Sequence, residues 1–223
     1  MSGIELNRLI DHTILKPEAT VDDVRRVCEE AERYDFFSVC VNTHYVKFAA
    51  EELEGSDVKV CSIAGFPLGA MNAEAKAFEA AKAVQDGADE IDMVMNIGAL
   101  KSGDSGHVLK DIEGVVKACG GRAIVKVIIE AAILTDDEKR LACKLAVDGG
   151  ASFVKTSTGF GPPGASVEDV RIMRESVGES FGVKASGGIR TAAFALELVE
   201  AGASRIGTSS GVKIMEEWLK GRD

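Results

Sequence analysis

The regular alternation of short apolar segments with amphipathic segments is the feature of this sequence that most restricts its fold. Eight short segments predict β-strands, at residues 9–15, 36–41, 58–64, 90–97, 122–129, 152–158, 182–186 and 204–208. Each is followed by a helical pattern, and strict alternation of this kind predicts a parallel sheet covered by helices. Eight such units in 223 residues favour a closed (β/α)8 barrel, the TIM-barrel fold, as a single domain over residues 1–223. A short N-terminal helix over residues 2–10, capped by Ser2, is expected to precede it.

The alternative architecture is a doubly wound open sheet. No Gly-x-Gly-x-x-Gly motif follows the first predicted strand, which weakens the dinucleotide-binding form of that fold. A recurring segment supports the barrel instead: a Gly-Ala pair ends a helix and starts a strand at Gly87, Gly150 and Gly202. Aligning the three segments places Asp92, Lys155 and Gly207 at the same level of three different strands.

Composition excludes several classes of function. The chain carries 26 Lys and Arg against 36 Asp and Glu, a net charge of −10 without a basic stripe, which argues against nucleic-acid binding. Any anionic substrate must therefore be held by a local site and not by the overall field. Charges interrupt the N-terminal residues and no apolar run is long enough to span a membrane, so we expect a cytoplasmic protein without a signal peptide. The five cysteines show no Cys-x-x-Cys spacing and are expected to be buried, unpaired side chains in a reducing compartment.

Four polar residues within the predicted strands indicate chemistry. Lys155 lies in a strand expected to be buried, where an ammonium group is unfavourable unless it is paired or neutral. A neutral lysine amine is a nucleophile towards a carbonyl carbon. One such lysine alone would more often extend to water, but Asp92, Lys126 and Lys184 also fall within strands. Because working residues of a barrel lie at the C-terminal ends of its strands, we expect the four to share one site.

If these side chains face one interior, three ammonium groups and one carboxylate crowd it. The lysine least compensated by a carboxylate should lose its proton, and we expect Lys184 to depress the pKa of Lys155. Asp92 is expected to pair with Lys126 or to relay protons. Lys59 lies near the start of its strand, at the opposite end of the barrel, and is expected to have no catalytic role.

Glycine-rich turns late in the chain form a second candidate site. Residues 186–190 follow the seventh predicted strand, and residues 207–211 follow the eighth and lead into a helix. Backbone N–H groups at such turns bind phosphate, and barrel phosphate sites occur after strands seven and eight. Gly159 could extend this site and Arg190 could add charge. The alternative is a pair of ordinary turns that use glycine for its backbone freedom.

Other kinds of site are not indicated. The three histidines are scattered without metal-ligand spacing. The sequence has no P-loop motif, which disfavours a nucleotide hydrolase. Asp89 and Glu90 are expected at the start of their strand, facing solvent.

Six segments carry a family resemblance. They are Ile10–Thr13, Glu90–Val94, Val125–Glu130, Phe153–Gly159, Val183–Arg190 and Gly207–Ser210. Together and in this order they resemble the deoxyribose-phosphate aldolase family along essentially the whole chain. The resemblance implies a class I aldolase without metal or other cofactor. It would reversibly cleave 2-deoxy-D-ribose 5-phosphate to D-glyceraldehyde 3-phosphate and acetaldehyde, in deoxyribose phosphate catabolism. A homo-oligomer, dimer or tetramer, is also implied, with small phosphosugar and aldehyde substrates and no nucleic-acid or membrane partner.

The resemblance also implies roles for the candidate residues. Lys155 matches the family's Schiff-base lysine, and Lys184 matches the lysine that lowers its pKa. Asp92 matches an acid–base aspartate that works with a water, and Lys126 matches a supporting lysine paired with it. The matching phosphate-binding positions are Gly159, Gly187, Gly188, Ser209 and Ser210. Some members carry a lysine where this chain has Phe160, so backbone N–H groups are expected to hold more of the phosphate charge here.

Two other interpretations stay open. Another phosphosugar barrel, an isomerase or a different Schiff-base aldolase, would share the phosphate turns, although an isomerase needs no lysine nucleophile. A non-catalytic sugar-phosphate sensor on the same barrel would not need Lys155 and Asp92, and both are present.

Overall fold

The computed structural model describes residues 4–161 and 163–221, and its strands form one closed barrel. The strands are β1 Ile10–Ile14, β2 Ser38–Val41, β3 Lys59–Ala64, β4 Glu90–Val94, β5 Ile124–Ile128, β6 Phe153–Lys155, β7 Gly182–Ser186 and β8 Arg205–Thr208. Each strand pairs in parallel with the next, and β8 closes the barrel by pairing in parallel with β1. The predicted (β/α)8 barrel is therefore confirmed, and the open sheet is wrong.

Helices cover the outside of the barrel. They are α1 Val21–Tyr34, α2 Val46–Glu52, α3 Ala73–Gln85, α4 Ile97–Lys101, α5 Ser105–Cys119, α6 Asp136–Asp148, α7 Val167–Val177, α8 Ala192–Glu200 and α9 Gly211–Lys220. Short 3-10 helices lie at Leu6–Leu9, Thr43–Tyr45 and Ala131–Ile133. The helix starts were predictable because their caps are local. Thr20 and Thr135 form capping boxes with Asp23 and Glu138, and the Asn72 side chain caps α3.

The N-terminal prediction was wrong in detail. The helix expected over residues 2–10 is a single 3-10 turn at Leu6–Leu9, because the chain enters β1 at Ile10 and pairs there with β8. Ser2, its predicted cap, lies outside the described residues. The short helix α4 was not predicted, since residues 95–97 were assigned to a longer fourth strand. That strand ends at Val94, and the Asn96 side chain accepts a hydrogen bond from Ala99 N to start α4.

The strand registers sort the inward side chains into layers. In such a barrel each layer takes one residue from every second strand. The upper layer, nearest the C-terminal ends, contains Cys40, Asp92, Lys155 and Gly207. The layer beneath contains Asp11, Cys61, Lys126 and Lys184, and the layer below that contains Ser38, Glu90, Phe153 and Arg205. The predicted common level of Asp92, Lys155 and Gly207 is confirmed.

The opposite faces of the same strands are apolar. In β4, Glu90 and Asp92 point inward, whereas Ile91 and Met93 point outward and are fully buried. The main hydrophobic core therefore lies between the barrel and the helices. The strands alternate instead of forming the uniformly apolar runs expected from the sequence, because the inward positions carry charge.

The cysteines and Lys59 differ in their exposure to solvent. All five cysteines are free and buried. Burial raises the pKa of Cys28 to about 12, that of Cys119 to about 11 and that of Cys143 to about 12, so these thiols are unreactive at neutral pH. Lys59 is the first residue of β3, in agreement with its predicted place at the start of the strand, and it is exposed.

Phe36 is fully buried in the main hydrophobic core. Its ring lies against those of His12 and Tyr34, with centroids 5.1 and 5.6 Å away.

Over residues 4–161 and 163–221, the helices are all too short or too polar to cross a membrane.

Candidate active site

A cavity of about 650 Å³ opens where the strands end, at the C-terminal mouth of the barrel. Four polar residues are predicted to act together. Among the described residues that line the cavity, Lys155 is the one that belongs to this group. Lys155 is 3 % exposed, while Asp92, Lys126 and Lys184 are fully buried. The fold thus brings all four side chains together, but it presents a single amine to a bound molecule.

Asp92 is the centre of this group. Its Oδ2 accepts hydrogen bonds from Lys155 Nζ at 2.7 Å and from Lys184 Nζ at 2.8 Å. Its Oδ1 accepts from Lys126 Nζ at 2.9 Å and from Cys61 Sγ at 3.2 Å. Burial alone would raise the pKa of Asp92, but the charges of the three lysines outweigh it and hold that pKa well below its usual range. Asp92 is therefore a carboxylate at neutral pH.

Three further charged residues complete the interior, and the sequence interpretation missed them. Asp11 Oδ2 lies 2.5 Å from Lys184 Nζ, and Glu90 Oε2 lies 2.5 Å from Lys126 Nζ. Arg205 Nη1 donates to Asp11 Oδ1 at 2.8 Å and to Glu90 Oε2 at 3.2 Å. The interior therefore holds three carboxylates, not one.

The prediction that Glu90 faces solvent was wrong. Glu90 is buried, and it points inward because it lies two residues before Asp92 on the same strand. The same rule places Arg205 on the inner face, two residues before Gly207. Side chains alternate between the two faces of a strand, so counting two residues back from Asp92 and from Gly207 identifies Glu90 and Arg205 as inward-facing. Asp89, by contrast, is exposed as expected.

The ion pairs distinguish Lys155 from the other two lysines. Lys126 and Lys184 each contact two carboxylates. Among the described residues, the carboxylate in contact with Lys155 is Asp92 alone, and Lys184 shares the same oxygen atom. Burial would lower the pKa values of Lys126 and Lys184, but their carboxylates raise both well above the ordinary lysine value. Lys155 is therefore the least compensated of the three amines.

One group of side chains has the composition of a metal site. The ligand atoms of Cys40, Cys61 and Asp92 lie within 4.8 Å of one another, all buried. Both oxygens of Asp92 are already occupied by ammonium groups, and burial raises the pKa of the Cys61 thiol well above its usual value. A cation there would meet three positive charges and a protonated thiol, so the charges disfavour a metal at this position.

The predicted phosphate-binding residues surround one side of the cavity. Gly159, Gly187, Gly188 and Ser209 line it, and Arg190 lies at its edge. The three glycines have φ values of +84°, +88° and +76°, a left-handed backbone that exposes N–H groups and that other residues adopt poorly. Ser210 is the residue before α9 and is not among the described lining residues. Its side chain makes no capping hydrogen bond, so the first N–H groups of α9 keep their capacity to bind an anion.

Glu130 is a further charged residue for which the sequence predicted no role. Glu130 has a left-handed backbone, with φ of +52°, and its Oε2 accepts hydrogen bonds from Thr158 N at 3.2 Å and Thr158 Oγ1 at 2.7 Å. This contact fixes the start of the loop after β6. The next residues in that loop include Phe160, which is 53 % exposed and packs edge-on against Phe66 at 5.2 Å between ring centroids.

Comparison with known proteins agrees with this geometry. Residues 7–217 match the family described as DeoC/LacD family aldolase. Curated relatives include a deoxyribose-phosphate aldolase of Enterococcus faecalis, 59 % identical over 95 % of this chain and 96 % of the relative. Another is the deoxyribose-phosphate aldolase of Clostridium tetani, 56 % identical over 96 % of this chain and 99 % of the relative.

Solved structures of aldolases also match nearly the whole chain. The structure titled "QR15, an Aldolase" has a TM-score of 0.93 and 40 % identity, and the match covers 98 % of both chains. The tetrameric deoxyribose phosphate aldolase of Aeropyrum pernix has a TM-score of 0.90 and 38 % identity, over 96 % of this chain and 91 % of that one. The chain belongs to the DeoC/LacD aldolase family.

Proposed function

We propose that this protein is an aldolase that reversibly cleaves 2-deoxy-D-ribose 5-phosphate to D-glyceraldehyde 3-phosphate and acetaldehyde, in the catabolism of deoxyribose phosphate. The observation that carries the proposal is the position of Lys155, the least compensated of three buried amines, at the floor of a cavity bordered by phosphate-type turns. The names of the curated relatives support the choice of substrate.

In the first step the Lys155 amine attacks C1 of the open-chain sugar. Loss of water from the resulting carbinolamine gives an iminium ion, whose positive nitrogen accepts electrons from the neighbouring carbon. A base removes the proton of the C3 hydroxyl group, and the C2–C3 bond breaks. Glyceraldehyde 3-phosphate leaves with C3 as its aldehyde carbon, and the C2 electron pair remains on the enzyme as an enamine.

In the second step the enamine carbon takes up a proton, and water hydrolyses the two-carbon iminium to acetaldehyde and free Lys155. Asp92 is the carboxylate nearest to the reacting nitrogen, at 2.7 Å, and it is buried beneath the cavity. We assign it proton transfer through a water, because it does not itself reach the cavity. Lys184 supports this role through its contact with the same oxygen, and Lys126 holds the other oxygen in place.

The phosphate group is assigned to the turns of Gly159, Gly187, Gly188, Ser209 and Ser210. The turns of Gly159, Gly187, Gly188 and Ser209 line the same cavity as Lys155, so a phosphate group held there would use remote binding energy to orient the reacting carbon. Phe160 supplies no charge, and Arg190 is the cation closest in sequence to these turns. Backbone N–H groups and the start of α9 would therefore hold most of the phosphate charge.

Borohydride trapping tests this function directly. The protein is incubated with acetaldehyde and sodium borohydride, and the adduct is located by peptide mass spectrometry. We expect a two-carbon adduct on Lys155 that is absent from Lys155→Ala. Lys59→Ala is the matched control, since it removes an exposed lysine at the other end of the barrel and should leave the adduct in place.

Three outcomes would change the assignment. An adduct on Lys184 would keep the chemistry and exchange the roles of the two lysines. No adduct on any lysine would remove the Schiff-base mechanism. Inactivation by a chelator, reversed by added metal, would indicate a metal-dependent aldolase instead.

The remaining proposals concern assembly and location. We propose a cytoplasmic homo-oligomer, dimer or tetramer, because Leu68 and Phe78 are 76 % and 74 % exposed and such side chains favour burial against another chain. The tetrameric structural relative supports the same proposal. Light scattering after size-exclusion chromatography tests it, and a mass of one chain across the micromolar range would contradict it.

A further inference from the structure

The charged residues inside the barrel form a closed ring of contacts. In order, the contacts are Arg205–Asp11 at 2.8 Å, Asp11–Lys184 at 2.5 Å, Lys184–Asp92 at 2.8 Å, Asp92–Lys126 at 2.9 Å, Lys126–Glu90 at 2.5 Å and Glu90–Arg205 at 3.2 Å. Carboxylates and cations alternate around this ring, which we call the charge ring. All six side chains are buried.

The charge ring is neutral by itself. It contains three carboxylates and three cations, and Lys155 is attached to it from above through Asp92. If Lys155 carries a proton, the buried interior has a net charge of +1, and if Lys155 is a neutral amine, the interior is neutral. A buried net charge is unfavourable, so the composition of the charge ring favours the nucleophilic form of Lys155.

We propose that Glu90 and Arg205 are positioning residues that set the charge state of Lys155 by keeping the charge ring neutral. This inference deepens the proposed function and rests on it. Neither residue was assigned a role by the sequence interpretation, and neither is among the described residues that line the cavity. They can therefore act on the reaction only through the residues above them.

Their location supports a purely electrostatic role. Glu90 and Arg205 belong to the layer nearest the N-terminal ends of the strands, two residues below Asp92 and Gly207 on β4 and β8. The Arg205 guanidinium lies 3.3 Å from the centre of the Phe37 ring, so an aromatic face covers it. Burial would lower the pKa of Arg205, but Asp11 and Glu90 raise it, so its charge is permanent.

The charge state of Lys155 depends on groups from several packed elements. Those that face the barrel interior are Asp11 on β1, Cys40 on β2, Cys61 on β3, Glu90 and Asp92 on β4, Lys126 on β5, Lys184 on β7 and Arg205 on β8. Glu130, at the end of β5, faces the loop after β6. Glu90 and Arg205 contact each other, and neither forms an ion pair with Lys155 or Asp92, so opposite charges can be removed there without touching a direct contact of Lys155.

Opposite substitutions give opposite predictions. Glu90→Gln removes a negative charge, so protonated Lys155 becomes less favourable and the acidic limb of the kcat/KM profile should move to lower pH. Arg205→Gln removes a positive charge, so the limb should move to higher pH. Two charges roughly 10 Å apart at an effective dielectric constant of about 20 shift each other's titration by about one pH unit, and that is the size expected for each variant.

The double variant Glu90→Gln/Arg205→Gln is the decisive case. It restores the neutrality of the interior, so its limb should return to the wild-type position even if its stability is the lowest of the set. The conservative variants Glu90→Asp and Arg205→Lys keep the charges and should also leave the limb in place. General damage to packing would not produce shifts of opposite sign that cancel.

A matched control comes from a buried ion pair outside the barrel. Lys76 on α3 contacts Asp111 on α5, and both are fully buried in the helix layer. Asp111→Asn neutralises a buried carboxylate with a comparable loss of stability, but it does not touch the charge ring. We expect its acidic limb to stay within about 0.2 pH unit of the wild type, because the barrel wall and its helices separate it from Lys155.

The experiment measures kcat/KM for cleavage against pH for wild type and all variants, with the pH dependence of borohydride trapping on Lys155 as a second readout. Shifts of the same sign in both single variants, or no shift in either, would overturn the inference. If one single variant does not fold, the other decides the inference, because its limb must move in the direction given above while the double variant and the two conservative variants stay at the wild-type position. A wild-type protein that forms no adduct on Lys155 would instead remove the proposed function.

Discussion

The inside of the barrel and the layer between barrel and helices are equally buried, yet they have opposite compositions. Seven charged side chains fill the interior: Asp11, Glu90, Asp92, Lys126, Lys155, Lys184 and Arg205. The outer layer is built from apolar side chains such as Ile91, Val127, Val154 and Ile206 on the other faces of the same strands. Adjacent residues of one strand therefore belong to two different environments.

The difference separates stability from chemistry. Apolar burial stabilises a fold by roughly 25 cal/mol for each Å² removed from water, so the outer layer carries most of the folding free energy. Buried ion pairs add little net stability, because desolvation offsets their attraction. What the interior gains instead is a set of fixed charges around one amine. Substitutions inside the barrel should thus change activity more than stability, and substitutions outside it should do the reverse.

The largest effect is expected for Lys155→Met. Removing the nucleophile should lower kcat by on the order of 10⁴- to 10⁶-fold. Stability should change little, by about 1 kcal/mol, because the charge ring stays neutral and Asp92 keeps Lys126 and Lys184 as partners. Steady-state kinetics and urea unfolding measure the two quantities. A variant that retains even a hundredth of the activity would exclude Lys155 as the nucleophile.

The next largest effect is expected for Asp92→Asn. Asp92 contributes both to the reaction and to the stability of the interior, so this substitution should lower activity and stability together. Loss of the proton-transfer group should lower kcat by about 10²- to 10⁴-fold. Three lysines also lose their shared carboxylate, which should reduce the free energy of unfolding by about 3–5 kcal/mol. The same two measurements apply. Loss of stability with activity intact would mean that Asp92 is structural only.

Ile206→Ala tests the outer layer at a position between Arg205 and Gly207. Ile206 is fully buried in the main core, so truncation should reduce the free energy of unfolding by about 2–5 kcal/mol. The folded enzyme should keep kcat within about threefold of the wild type, because Ile206 points away from the site. A large fall in kcat without loss of stability would contradict the division between the two faces.

The dependence of stability on pH should come from the interior. Burial would raise the pKa of Asp11, but Lys184 and Arg205 lower it below its usual range, and Asp92 is lowered in the same way. Groups with a depressed folded pKa stabilise above their unfolded value, about 3.9 for Asp, and this contribution is lost as pH falls towards the folded value. For Lys126 and Lys184 the folded pKa is raised, so their contribution is complete below about pH 10.4 and is lost as pH rises through the folded pKa.

Urea unfolding measured from acidic to alkaline pH checks this expectation. The wild-type curve should fall at both ends and be flat between them. Ile206→Ala should lower the whole curve in parallel, whereas Asp11→Asn should flatten its acidic end. Parallel curves for both variants would show that the ring carboxylates do not determine acid stability.

The smallest effect is expected for Lys59→Ala. This lysine lies at the start of β3, exposed at the end of the barrel opposite the cavity. Its removal should change stability by less than about 0.5 kcal/mol and leave kcat/KM unchanged. A substantial loss of activity would mean that position along the strand does not separate catalytic lysines from surface ones.

The sequence by itself determined the strand–helix order, most helix starts and the identity of Lys155 as the candidate nucleophile. These features are local: a cap such as Thr135 with Glu138 depends on residues three positions apart, and a lysine in an apolar run is visible without its partners. The internal repeat even fixed the common level of Asp92 and Lys155, because it repeats the same junction between helix and strand.

Only the tertiary structure decided which charges meet. Glu90 was assigned to solvent from its place at the start of a strand, yet closure of the barrel turns it towards Lys126 and Arg205. Asp11 and Arg205 are 194 residues apart, and they touch because β8 pairs with β1. The register between strands is a long-range property of the closed sheet, so the neutral charge ring around Lys155 exists only once the barrel has closed.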